Sequence, residues 1–369
     1  MKKGTKILLL AGEESGLIYA NLLREHFAGA EVRTYQDSFS TNDLAVMGFL
    51  PVLKKLFFFM RVKSEMEKTI REWKPDIVIT IDYPGLNLKL AAYAKSRGIP
   101  AVHIVCPQVW AWHQNRIPKI ASSLTKLLCF FPFEPKLYDG TGLDVKFIGH
   151  PLVDTFDAEN KNDVSTEERL VALLPGSRAG EIKRILPKLL KTAEILASDK
   201  ALKFTIPAAT PKARKQIDEM IKSVNIPSLE VINGGARDLL RKASVAAVAS
   251  GTATLEAALA KCPTVLVYEV SALFAWILRR IITGVKHIGL ANIIAEKTGL
   301  NPPMPEMLQE NFIPEKVANL LRSWLDNPQA RSRTIESLKV VTDSLRGDGG
   351  AVKRAVHEIE EVLKEGGER

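Results

Sequence analysis

The sequence predicts an α/β protein made of two doubly wound, Rossmann-like domains that face a cleft and end in C-terminal helices. Three observations carry that expectation. Short apolar runs, among them residues 171–174 and 245–249, read as buried parallel strands. Through the second half such runs alternate with helical patterns, which calls for a parallel sheet. At two places a strand-like run ends in a glycine turn that opens a helix: Pro175-Gly176-Ser177-Arg178 and Ser250-Gly251-Thr252. In an open α/β sheet the carboxyl ends of neighbouring strands share one crevice, so both turns are expected at one ligand.

Composition bounds the function. The chain has 369 residues, enough for two domains, and 46% hydrophobic with 25% charged residues describes a folded protein. A formal charge of +9 favours anionic partners such as nucleotides, phosphorylated substrates or acidic lipid. No zinc-finger spacing, RNP-like motif or dense basic tract is present, so nucleic acid is not expected as a partner. Cys106, Cys129 and Cys262 are scattered in apolar stretches and read as buried thiols in a reducing compartment. No spacing of cysteine or histidine suggests a metal, and no cofactor is expected. The apolar run 7–11 is too short for a secretion signal and reads as a first strand, which makes a cytoplasmic location the expectation.

In chain order, residues 6–11 form that strand and residues 17–27 a helix. Between them Gly12-Glu13-Glu14-Ser15-Gly16 carries two carboxylates, a poor phosphate partner; it serves acid–base chemistry or acceptor binding, or else a helix cap. Residues 44–62, LAVMGFLPVLKKLFFFMRV, are too short and too interrupted to span a bilayer. Read as a helix from Pro51, they place Phe58 between Lys54 and Arg61 on the polar side. Aromatics among cations suit a membrane interface or acyl chains, and a core or dimer-interface helix is the other reading. Residues 271–282 repeat the flavour with Phe274, Trp276, Arg279 and Arg280.

A buried strand over 77–81 puts Asp82 at its carboxyl end, where ligands bind in such sheets. Residues 88–96 are helical and 101–105 a strand. Pro107-Gln108-Val109-Trp110-Ala111-Trp112-His113-Gln114-Asn115-Arg116 then combines aromatic faces with amide, imidazole and guanidinium groups, suiting a phosphosugar or else anchoring a structural loop. Residues 125–131 read as a strand, 132–138 as a short helix and 157–168 as the linker. The second half alternates strands at 171–174, 202–206, 229–232, 245–249 and 264–268 with helices at 179–196, 211–223, 236–242 and 252–260. Residues 287–295, with Asn292, read as a loop near the cleft, and from Glu315 the chain is helical.

The two glycine turns carry the chemistry. A helix N-terminus behaves as a partial positive charge with free N–H groups, and glycine lets phosphate approach the backbone. Arg178 adds a planar guanidinium that grips a diphosphate through two hydrogen bonds, and Gly176, Ser177, Ser250, Gly251 and Thr252 supply further donors. Glu256, one turn into its helix, lies where a carboxylate accepts from a ribose hydroxyl pair.

Seven segments resemble one family: AGEESG (11–16), residues 75–87, PQVWAWHQNR (107–116), FIGHPLVD (147–154), LLPGSRAGEI (173–182), ASGTATLEAA (249–258) and GLANIIA (289–295). In that order they resemble the lipid-A-disaccharide synthases, glycosyltransferases of the GT-B fold. The resemblance implies transfer of diacylglucosamine from UDP-diacylglucosamine to diacylglucosamine 1-phosphate, forming a β-1,6 link with inversion and releasing UDP. It also implies a cytoplasmic enzyme peripheral on the inner membrane, and is compatible with a homodimer. Domains are then expected at 1–160 (acceptor and membrane side), 161–345 (UDP donor) and 346–369 (C-terminal helix).

Under the resemblance Gly176, Ser177, Arg178, Ser250, Gly251, Thr252, Glu256 and Asn292 bind the nucleotide. Asn87, Gln108, Trp110 and Arg116 meet the acceptor, and Phe57, Phe58, Phe59 and Met60 the acyl chains. Many members carry Asp-x-Pro-Asp-Phe-Asn in the first domain and use its second aspartate; here Gly85 stands at that position. Asp82, Glu14 and His113, in that order, are the candidate bases, with Arg178 stabilising the leaving diphosphate. No Asp-x-Asp occurs, which favours a metal-free departure. Two rival readings stay open: another UDP-sugar enzyme of this fold, such as an epimerase, and a non-catalytic UDP-binding module at a membrane surface.

Overall fold

The computed structural model describes residues 2–12, 14–39, 52–159, 167, 169–226, 228–271, 275–276, 280 and 284–367. It contains two six-stranded sheets in which each strand pairs in parallel with its neighbours. In the first, β1 (Lys6–Ala11), β2 (Glu31–Thr34), β3 (Ile77–Ile81), β4 (Ala101–Ile104), β5 (Lys126–Cys129) and β6 (Asp144–Phe147) are ordered β2-β1-β3-β4-β5-β6. In the second, β7 (Leu170–Leu174), β8 (Lys203–Ala208), β9 (Leu229–Asn233), β10 (Val245–Ala249), β11 (Thr264–Tyr268) and β12 (Glu306–Leu308) are ordered β12-β11-β10-β7-β8-β9.

The strand order reverses between β1 and β3 in one sheet and between β7 and β10 in the other. At these switch points successive crossovers leave on opposite sides and open a crevice beyond the strands' carboxyl ends. The register is level there, Ala11 opposite Ile81 and Leu174 opposite Val248. The turns Pro175–Arg178 and Ser250–Thr252 therefore stand side by side, as the sequence predicted.

Central strands are buried on both faces, which is why they are continuous apolar runs. In the first sheet Leu8, Leu10, Val78 and Leu127 face Val62, Met66 and Ile70 of the helix Val52–Trp73. The alternate residues Ile7, Leu9, Ile79 and Ile104 face Tyr19, Ala20 and Leu23 of the helix Glu14–Arg24. In the second, the helix Ala179–Leu196 buries Ile182, Ile185, Leu186 and Leu189 against Val171, Leu173 and Phe204. Each such Ile or Leu contributes about 1.5–3 kcal/mol when fully buried.

Three strands do not figure in the sequence reading: β2, β6 and β12. EVRT and DVKF alternate between exposed and half-buried residues, and β12 has only three half-buried residues. Edge strands bury too little apolar surface to stand out in a sequence. The segment expected as a loop at 287–295 is instead largely a helix, Leu290–Thr298, capped by Gly289 and ended by Gly299 in the left-handed region at φ 77°. The short helix expected at 132–138 is a 3-10 turn, Pro135–Tyr138.

The chain divides into one unit of Met1–Asp154 with Leu345–Arg369 and another of Thr155–Ser344, so the division falls inside the helix Pro151–Glu159. The C-terminal helix Ala351–Gly367 belongs to the first unit, where Ala355, Ile359 and Val362 join the core. Lys126, almost buried, donates to Glu358 at 2.5 Å, and Asp154 accepts from Ala351 N–H at 2.7 Å. The return of the chain rests on two glycines: a Cβ on Gly149 would lie 2.7 Å from the Gly347 nitrogen. No helix among the described residues is long and apolar enough to cross a membrane.

Candidate functional site

On the second unit, Gly176 leaves β7 with φ +98°, a conformation that favours glycine, and Arg178 caps the helix Ala179–Leu196. Glu181 closes a capping box: its carboxylate accepts from the Arg178 N–H at 3.3 Å and from the guanidinium at 3.1 Å. A Cβ on Gly176 would lie 2.5 Å from the same carboxylate, so an anionic group already sits over the turn. Arg178 is 84% exposed. The guanidinium side of this pair lies in solvent, which holds its worth to about 0–1 kcal/mol, little enough for a diphosphate to take the guanidinium over.

Beside it, Gly251 has φ +148° and ψ −164°, open to glycine and strained for other residues, and it caps the helix Thr252–Leu259. Nothing lies within 4 Å of a Cβ placed on Gly251, and Thr252 is exposed. The Ser250 hydroxyl donates to the Ile288 carbonyl at 3.4 Å. Glu306 holds that neighbouring turn, accepting from the N–H groups of Ile288 and Gly289 at 3.1 Å. Asn292 is fully buried; its amide donates to Glu306 at 2.8 Å and to the Met304 carbonyl at 2.7 Å, and accepts from Met304 N–H at 3.0 Å. Its polar atoms are thus committed to the protein, and it shapes the turn facing Ser250. Glu256 has an 18% exposed side chain and stands 3.4 Å from Arg237.

On the first unit the switch point carries Asp82 and Tyr83, both left-handed at φ 50°. Two consecutive non-glycine residues in that region cost of order 1–3 kcal/mol each, strain of the kind that clusters at active sites and ligand clamps. Asp82 is half-buried; one carboxylate oxygen accepts from Tyr83 N–H at 2.7 Å. Asn87 is buried and pins the crevice, its amide donating to the carbonyls of Ile81 at 3.1 Å and Asp82 at 2.8 Å and accepting from the Tyr35 hydroxyl at 2.6 Å. Gly85 is exposed with open space around it, so an aspartate would fit. Glu14 begins the helix Glu14–Arg24, but its side chain and Glu13 lie outside the described residues.

The 107–116 segment splits in two. Trp110 is 3% exposed and donates its indole N–H to Glu134 at 3.1 Å, with Phe131 and Phe133 edge-on to its ring. Gln108, Trp112 and His113 are exposed, and Arg116 is half-buried. Trp110 is therefore the anchor that presents its neighbours. Glu134, not singled out by sequence, is the post: its second oxygen accepts from Phe131 N–H at 3.1 Å. Cys106, Cys129 and Glu134 bring their ligand-capable atoms within 4.8 Å of one another; at Cys106 the hydrogen bond with Cys129 pulls down but burial and Glu134 outweigh it, and burial raises Cys129, so both thiols stay protonated. His150, tilted against Phe130 and Phe131, is pushed down to about 4 by burial and stays neutral.

Burial pushes Glu134 up to about 8 against the pull of the N–H groups on its oxygens. The unfolded chain then loses this proton at lower pH than the folded one. Stability from this group is full below the ordinary carboxylate range and is lost as pH rises toward about 8. Glu134→Gln, with no proton to lose, is expected to flatten that decline. Thermal melts at about pH 5 and about pH 8 check it: an equal loss of Tm in wild type and variant would rule Glu134 out as the cause.

The four acyl candidates also split. Phe57 is 67% and Met60 59% exposed, whereas Phe58 and Phe59 are half-buried. Phe39, Phe58, Phe59 and Tyr83 form a run of ring contacts at 5.9–6.0 Å, reaching from that helix to the residue after Asp82. Of residues 44–62, 44–51 lie outside the described residues; of 271–282, Phe274 and Arg279 do too. Trp276 is 53% exposed, with the Arg280 guanidinium 3.9 Å from its ring.

A family model described as lipid-A-disaccharide synthetase matches residues 7–353. The chain belongs to the lipid-A-disaccharide synthetase family. A lipid-A-disaccharide synthase of Syntrophus aciditrophicus is 36% identical over 97% of this chain and 98% of its own length. One from Azoarcus sp. is 35% identical over 92% of each chain. Family membership makes this protein a glycosyltransferase of lipid A biosynthesis, and the comparisons give no support to the two rival readings. Among solved structures the S. aureus MnaA–UDP co-structure superposes with TM-score 0.62 at 14% identity, covering 98% and 97% of the two chains. A UDP-GlcNAc 2-epimerase from Neisseria meningitidis bound to UDP-GlcNAc gives 0.60 at 12%, covering 97% and 100%. At such identities the likeness is one of fold, and that fold is of the GT-B class.

Proposed function

We propose that this chain joins UDP-2,3-diacylglucosamine to 2,3-diacylglucosamine 1-phosphate through a β-1,6 bond, with inversion and loss of UDP, at the surface of the inner membrane. The observation that carries the reading is the pair of glycine-opened helix N-termini at the β7/β10 switch point, with Arg178 exposed beside them. Gly176, Ser177, Ser250, Gly251 and Thr252 would hold the diphosphate, and Glu256 the ribose hydroxyls. Asn292 would act through the turn it shapes.

Inversion requires one base. Asp82 takes the proton of the acceptor 6-hydroxyl, and that oxygen attacks the anomeric carbon on the face opposite UDP. The bond from that carbon to the diphosphate breaks, and the negative charge passes to UDP, where Arg178 and the two helix N-termini stabilise it. Gln108, Trp112 and Arg116 would meet the acceptor, with Asn87 and Trp110 holding them and Asp82 in place. His113, exposed beside Trp112, and Glu14 are the alternative bases.

The test is mass spectrometry of purified protein with both diacylated substrates. A tetra-acyl disaccharide phosphate plus UDP supports the reading; UDP binding with no disaccharide would overturn it. For the acyl surface, Phe57→Ser with Met60→Ser is expected to release the protein from anionic vesicles while UDP binding stays unchanged. Each side chain contributes about 1.5–3 kcal/mol on burial, so the pair should weaken partitioning by roughly 100-fold or more. Unchanged sedimentation with vesicles would remove that surface from the membrane.

A further inference from the structure

Glu256 is not held by its own helix. Its carboxylate faces Arg237, in the first turn of the short helix Ala236–Lys242 that follows Gly234-Gly235. The Arg237 guanidinium is a bridge. One terminal nitrogen donates to Glu159 at 2.8 Å and the other to Glu256 at 3.4 Å, while its central carbon lies 5.4 Å from the centre of the Phe156 ring. Arg241, one turn on and only 8% exposed, donates to the other oxygen of Glu159 and packs 4.8 Å from the same ring. Two arginines thus tie down Glu159, and Glu159 ties down Arg237.

The two carboxylates differ. Both oxygens of Glu159 take an arginine. Glu256 has one long contact, and its second oxygen has no protein donor among the described residues. A carboxylate left with spare lone pairs, one turn beyond an open glycine cradle, is a prepared acceptor. A fixed guanidinium beside it also holds it in one rotamer.

We propose that Arg237 is a positioning residue: it holds Glu256 so that the carboxylate accepts from the ribose hydroxyls of the donor, and thereby sets the enzyme's preference for a ribonucleotide over a 2′-deoxyribonucleotide. The inference rests on the reading of Glu256 as the ribose ligand. A site built to accept from a hydroxyl discriminates strongly against the analogue lacking it, and loses that discrimination when the acceptor is free to swing.

The experiment is calorimetric titration of the full chain with UDP and with 2′-deoxy-UDP. Wild type is expected to favour UDP by about tenfold or more, and Glu256→Gln to remove most of that preference. Arg237→Met is expected to lower the preference to a few-fold while the affinity for 2′-deoxy-UDP stays near wild type. Arg237→Lys, which keeps the charge but not the fork, should fall between, and serves if the methionine variant does not fold. In turnover the change should appear in KM for the sugar nucleotide and leave kcat nearly unaltered. If Glu256→Gln keeps the preference, the ribose reading of Glu256 fails and the inference with it. If Glu256→Gln loses it but a folded Arg237 variant keeps it, or weakens both nucleotides equally, the positioning role alone is overturned.

Discussion

Arg178→Ala is expected to lower kcat by about 100- to 1,000-fold, because removing one preorganised donor from a developing anion typically costs that much. The fold should survive. Arg178 is 84% exposed and its ion pair with Glu181 contributes little to stability. Glu181 still accepts from the backbone N–H at position 178, so the helix keeps its cap. Arg178→Lys is expected to recover only part of the rate, since an ammonium offers a point charge where the diphosphate wants a planar fork. The check is steady-state kinetics on UDP-diacylglucosamine beside a thermal melt. A stable Arg178→Ala protein turning over at the wild-type rate would sink the assigned role.

Asp82→Asn is expected to reduce turnover by about 100- to 10,000-fold, the range for losing a positioned general base. Asparagine keeps the side-chain oxygen that accepts from Tyr83 N–H, so the strained turn is retained and the loss falls on proton transfer. Gly85→Asp is the companion experiment. The space around Gly85 is open, so the aspartate many family members carry there should be accommodated. If Asp82 is the base, adding that carboxylate leaves Asp82→Asn depressed. Activity retained in Asp82→Asn and lost in Glu14→Gln would move the base to Glu14.

The proposed nucleotide side is legible in the sequence because its parts are local. A buried strand, a glycine turn and a helix start lie within a dozen consecutive residues, and their chemistry follows from backbone geometry alone. The anchors were not legible. Glu134, Glu306, Arg237 and Glu181 are charged side chains whose meaning depends on what the fold sets against them. Glu134 meets Trp110 across 24 positions, and Glu306 meets Asn292 across 14. Polar and aromatic side chains near a cleft, such as Asn87, Trp110 and Asn292, invite a reading as ligand contacts. Their burial makes them the framework that presents Asp82, Trp112 and the turn beside Ser250.

The sequence by itself determined the two α/β domains, the two glycine turns and the family, since apolar periodicity and contiguous motifs survive without coordinates. Only the tertiary structure decided that the last helix returns to the first sheet and that Phe58 and Phe59 pack inward while Phe57 and Met60 face out. It also decided that Glu181 lies over the Gly176 turn and that Arg237 stands beside Glu256. The physical reason is common to all of these: each depends on contacts or burial set by neighbours and packing, which a linear pattern of residue types does not fix.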